Sequence, residues 1–104
     1  MEQNEIKNRI TDIVHKKDSN AEVILFGSRA RGNNKPDSDW DVLILVDDLK
    51  ITNEIEDKFR NELYDVEIES GQSISILIYS KQFWNNTLIY SPLYKNIQAE
   101  GIRL

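Results

Sequence analysis

The stretch that decides the fold is Ala21-Glu22-Val23-Ile24-Leu25-Phe26-Gly27-Ser28-Arg29-Ala30-Arg31-Gly32, a polar segment from Asn33 to Ser38, then Asp39-Trp40-Asp41-Val42-Leu43-Ile44-Leu45-Val46. Ala21 to Phe26 reads as a short buried strand, stopped by Gly27-Ser28. From Ser28 to Asp37 a short helical turn gives way to a loop that holds Gly32, two asparagines and Pro36. Asp39 to Val46 is a second strand, and strand periodicity sorts its side chains onto two faces. Asp39, Asp41, Leu43 and Leu45 share one face, while Trp40, Val42, Ile44 and Val46 share the other.

Upstream, Ile6, Ile10, Ile13 and Val14 repeat at helical spacing, and Asp18-Ser19-Asn20 ends that helix with turn formers. Downstream, Asn53 and Glu56 have capping-box spacing and open a second helix, with Ile55, Phe59, Leu63 and Val66 as its buried stripe and Gly71 as its stop. Ser73 to Tyr79 forms a third strand. Ser80 caps a short helix through Trp84, and Ser91-Pro92 starts a last helix whose Leu93, Tyr94 and Ile97 face inward before Gly101. Helices alternate with strands throughout. The fold class is therefore α/β or α+β, a small mixed sheet flanked by helices.

At 104 residues the length suits a single domain over 1–104. Hydrophobic residues make up 39% and charged ones 30%, a balance that excludes both a disordered tail and a membrane protein. The longest apolar runs, Val23 to Phe26, Val42 to Val46 and Ile76 to Tyr79, are far too short for a span. Without cysteine there is neither a disulfide framework nor a thiolate metal site. Met1-Glu2-Gln3-Asn4-Glu5 lacks the blocks of a signal peptide, so a cytoplasmic location is expected. The formal net charge of −5 repels a phosphodiester polymer. Arg29, Arg31 and Lys35 nevertheless crowd into a stretch with no acid before Asp37, which favours a small, local anion. The apolar tail Ile102 to Leu104 offers a contact for a homo-oligomer or a partner.

Chemistry concentrates between the first two strands. A helix start presents free N–H groups suited to phosphate oxygens, Gly27 permits close approach, and Ser28 adds a hydroxyl donor. Carboxylates two residues apart on a strand lie about 6.5–7 Å apart along the chain. Mg²⁺ is held by one or two such carboxylates together with substrate phosphates, and a metal pair clamps an in-line phosphoryl displacement. The ligand these residues anticipate is ATP or another nucleoside triphosphate with Mg²⁺.

Gly27-Ser28, ten residues, then Asp39-x-Asp41 resembles the signature of the polymerase-beta-like nucleotidyltransferase superfamily in its minimal form. Chance would produce that spacing in a chain this long on the order of once in a thousand. The resemblance implies that Gly27 and Ser28 hold the β- and γ-phosphates, and that Asp39 and Asp41 are the catalytic residues, binding Mg²⁺ in a two-metal site. Arg29 and Arg31 either steer the triphosphate or belong to a solvated face. The resemblance also implies a third carboxylate on the next strand, yet Gln72 to Tyr79 carries no acid. Ser73 or Ser75 offers a weak neutral ligand there, and Asp65, Glu67 or Glu69 could swing in from the preceding helix.

Two functions follow from different classes. One is a nucleotidyltransferase moving a nucleoside monophosphate, AMP from ATP, onto an acceptor hydroxyl. Minimal relatives lack the second domain that holds base and acceptor, and they pair with a helical HEPN-type protein, some as antitoxins in a toxin–antitoxin system. The other is a nucleotide-binding or partner-neutralising module that has lost chemistry with its third carboxylate. An RNA terminal transferase is disfavoured by the negative charge. The remaining residues have structural readings: Trp40 as core, Lys35 as loop surface, His15 as a contact at a helix end, Tyr79, Tyr90 and Tyr94 as packing groups, and Asp47-Asp48 as a strand terminator.

Overall fold

A computed structural model describes residues 1–104. In chain order the elements are α1 (Gln3–Lys17), β1 (Glu22–Phe26), α2 (Ser28–Arg31), β2 (Trp40–Val46), α3 (Asn53–Ser70), β3 (Ile74–Ser80), α4 (Lys81–Asn86), a 3₁₀ turn (Leu88–Tyr90), α5 (Pro92–Glu100) and β4 (Ile102–Arg103). The sheet order is β3-β2-β1-β4. β1 runs antiparallel to both β2 and β4, whereas β2 and β3 are parallel. A parallel pair needs a crossover, and α3 with its 18 residues supplies it.

The alternation read along β2 assigns the layers. Trp40, Val42, Ile44 and Val46 meet Val23 and Leu25 of β1, Ile74, Ile76 and Ile78 of β3, and the apolar stripes of α1 and α3. On the opposite face, Leu43 and Leu45 pack with Ile24, Trp84 and Ile97, so α4 and α5 cover that side. With both faces covered, β2 is buried from Val42 to Val46. Each such side chain contributes roughly 1.5–3 kcal/mol by leaving water.

Several boundaries differ from those expected. The third helix is capped by Thr52, not Asn53: Thr52 is extended, and its Oγ1 accepts the Ile55 N–H at 3.3 Å. That shift puts Ile55 at the position where Glu56 would have closed a capping box, so the box does not form. Ser80 belongs to β3 and caps α4, which runs past Trp84 to Asn86. Ser91 and Pro92 open α5 as expected. Tyr79 and Tyr94 pack around Trp84, but Tyr90 is 81% exposed. His15 Nε2 lies 3.1 Å from the Ala21 carbonyl and ties the end of α1 to the start of β1.

The tail is ordered. Ile102 and Arg103 form an edge strand on β1, and the Leu104 N–H donates to the Val23 carbonyl at 2.8 Å. β4 is an edge of the sheet, and Ile102 remains 42% exposed there.

Candidate functional site

The C-terminal end of β1 and the N-terminal ends of β2 and β3 meet at one end of the sheet. There Phe26, Asp41 and Ser75 stand in one cross-strand row. Asp41 shares the face of Leu43 and Leu45, the face that α4 and α5 cover. Gly27 follows Phe26 with φ 74° and ψ −158°. A Cβ built there would collide with Asp41 Oδ2. Gly27 is required twice over, by its positive φ and by a carboxylate lying against its Cα. Asp39 is exposed and lies one residue outside β2, because regular pairing begins only at Trp40.

Beyond Gly27 the chain turns into α2, whose four residues are too few to develop much macrodipole. What it offers an anion is local: the unpaired N–H groups of its first turn and the Ser28 hydroxyl.

Burial raises the Asp41 carboxyl above the ordinary carboxylate range, and the negative charge of Asp39 adds to the rise. The Arg31 guanidinium opposes both. Arg31 also holds Glu100 at the end of α5, with Nη1 3.1 and 3.2 Å from the two carboxylate oxygens. Arg31 therefore stands at the rim, 46% exposed, between α5 and the carboxylates.

The raised Asp41 value carries a sign for stability. Folding favours the protonated carboxyl, so ionisation costs stability as pH rises through the raised value. Asp41→Asn is expected to melt above the wild type at pH 7, with the gap closing as acid protonates Asp41 in the wild type. Thermal melts from pH 7 to pH 3 check this; equal melting at pH 7 would show that Arg31 offsets the burial.

Arg29 is the correction among the site residues. Its Nε donates to the Ser38 carbonyl at 3.0 Å, and its Nη2 donates to the Pro36 carbonyl and to Gln72 Oε1 at 3.2 and 2.7 Å. The guanidinium lies 4.4 Å from the centre of the Trp40 ring, and only 7% of the residue is exposed. Trp40 belongs to the α1/α3 face, so Arg29 is turned away from Asp41. It ties down the loop that carries Asp39. Arginine and lysine spacing alone could not reveal this, because the partners are backbone carbonyls and a glutamine 43 residues away.

The acids of α3 do not reach the site either. Glu67 Oε2 accepts the Ile74 N–H at 2.9 Å, and Glu69 pairs with Arg9 of α1. Asp65 also acts on Arg9, as a charge that raises its pKa. All three belong to a helix packed on the opposite face. Beside Asp41 the register leaves Ser75, which is exposed.

The chain brings Gly27, Ser28, Asp39, Asp41 and Arg31 together, and of the two candidate serines the register sets Ser75 beside Asp41. Two carboxylates that repel each other fit one divalent cation shared with phosphate oxygens. No group of three metal-ligating side chains occurs. None of the chain's cavities is lined by Asp39 or Asp41; the largest, about 430 Å³, lies on the far face beside Arg29, Trp40 and Gln72. The carboxylates thus stand on an open shelf. No helix is long and apolar enough to cross a membrane.

A family model described as a nucleotidyltransferase domain matches residues 7–103. Among solved structures, the chain is similar to one chain of a crystal structure described as a toxin–antitoxin with AMP-PNP. The two are 15% identical with a TM-score of 0.67, and the match covers 93% of this chain and 70% of the other. At that identity the likeness establishes the fold. No curated protein matches the sequence.

Proposed function

Because the chain belongs to the nucleotidyltransferase domain family, we propose that it binds a nucleoside triphosphate with Mg²⁺ and transfers the nucleotidyl group, AMP from ATP, to an acceptor hydroxyl. The observation that carries this reading is the Asp41 carboxylate packed against the bare Cα of Gly27, with Asp39 on the same shelf. In the reaction the acceptor oxygen bonds to the α-phosphorus, the bond from that phosphorus to the pyrophosphate oxygen breaks, and the hydroxyl proton passes to a base. Asp39 and Asp41 would hold the metal, which neutralises charge on the triphosphate. Gly27 keeps the turn low enough for phosphates to reach backbone N–H groups, and Ser28 donates a further hydrogen bond. Arg31 lends positive charge at the rim. Arg29 serves indirectly, by holding the loop of Asp39.

An open shelf does not enclose a base or an acceptor, and this favours a protein acceptor that supplies the missing wall. The chain similar to this one comes from a toxin–antitoxin structure, which supports a partner protein, one of the HEPN type as the sequence motif implies. A second reading rests on Ser75: a module that binds nucleotide or partner without chemistry.

Calorimetric titration of ATP into the protein with Mg²⁺ and with EDTA tests the metal-dependent reading. Binding that EDTA weakens at least tenfold is expected; binding indifferent to the metal would overturn the transferase and leave the module. Intact-mass measurement of a co-purified partner then separates them. A nucleotidyl adduct that forms only with Mg²⁺ and ATP marks the enzyme; an unmodified but bound partner marks the module.

A further inference from the structure

Ser75 stands where the shelf of Asp39 and Asp41 meets β3. It is the register partner of Asp41 on the parallel strand β3, it lies on the same face, and it is exposed. A metal pair about 3.5–4 Å apart needs anionic oxygens enough to hold both ions. Mg²⁺ keeps six oxygen ligands and takes them from carboxylates, phosphates and water. One ion can take a carboxylate oxygen each from Asp39 and Asp41 and complete its shell from the triphosphate. A second, further from the phosphates, would need another anionic side chain.

The acids of α3 lie across the sheet, and the acid on Asp41's own face, Glu100, is paired with Arg31. Glu67 accepts the Ile74 N–H and Glu69 pairs with Arg9, both on the far face, while Glu100 is held by Arg31. Ser73 and Ser75 bring only neutral hydroxyls. We infer that this chain binds one divalent ion with its nucleotide, and that Ser75 is the position where a single carboxylate would create a second ion site. The inference rests on the nucleotide-binding reading above.

Mn²⁺ binding in the presence of a non-hydrolysable ATP analogue, followed by the electron paramagnetic resonance of free Mn²⁺, counts the ions directly. The wild type is expected to bind one Mn²⁺ per chain and Ser75→Asp two, the second at least tenfold tighter than any further binding to the wild type. Ser75→Asn, similar in shape to Asp but neutral, should still bind one. Ser75 is exposed, and circular dichroism confirms that each variant is folded. Two ions on the wild type, or one ion on a folded Ser75→Asp, would overturn the inference and leave the nucleotide reading standing. No Mn²⁺ bound together with the nucleotide would overturn both.

Discussion

The Asp39→Asn/Asp41→Asn variant is expected to fold and to melt no lower than the wild type, yet to bind ATP with Mg²⁺ no better than it does in EDTA. Asparagine keeps each side chain's shape and one carbonyl oxygen but removes the charge that draws a hard cation. Metal-supplied charge stabilisation is worth several kcal/mol in such a site. At about 1.4 kcal/mol per tenfold, transfer should fall on the order of a thousandfold or more. Single variants should not add up to the double, because replacing one carboxylate also relieves repulsion on the other. The structure predicts the larger single loss at Asp41, which is seated against Gly27, than at exposed Asp39. Calorimetry of all three variants with and without Mg²⁺ reads this, and undiminished Mg²⁺-dependent affinity in the double variant would sink the site.

Trp40→Ala should have the largest effect on stability. Trp40 is fully buried between the two carboxylates in sequence but on the opposite face from Asp41, packed with α1 and α3. Truncating a buried tryptophan costs about 3–5 kcal/mol, a large share of the roughly 5–15 kcal/mol typical of a domain. The melting temperature should drop by about 15–30 °C. The loss also removes the ring beneath the Arg29 guanidinium, and with it part of what holds the 33–39 loop. Trp40→Phe keeps an aromatic face, gives up the Nε1 hydrogen bond to Gln72 (3.2 Å in the wild type), and leaves the smaller void of one lost ring. Gln72 Oε1 still accepts from Arg29, so no buried acceptor is orphaned, and the cost should stay about 1–2 kcal/mol below that of Trp40→Ala. Denaturant melts of both variants separate ring packing from the hydrogen bond; equal destabilisation would contradict it.

Much of this protein was legible in residue order because the signals were local. Alternation along 39–46 assigned Trp40 and Asp41 to opposite faces, since successive side chains of a strand must point opposite ways. Gly27-Ser28 and the two aspartates stood out because each demand is met within a few bonds: a positive φ at Gly27, and carboxylates two apart on one strand. Thr52 against Asn53 is not decidable in the same way, because both residue types cap helices well and the backbone makes Thr52 the extended one.

What only the tertiary structure decided were the pairings between distant residues. Arg29 reads as a cation beside a phosphate-binding turn until Gln72 and the carbonyls of Pro36 and Ser38 are found around it. Glu67 and Glu69 read as spare ligands until α3 is seen to lie across the sheet from Asp41. Ser73 and Ser75 read as equal candidates for a weak ligand until the register sets Ser75 beside Asp41. The tail reads as a free apolar end until it pairs with β1. Chain-local sterics set which residues turn, cap or alternate, whereas a charged group's partner depends on which surfaces pack together, and packing is a property of the whole chain.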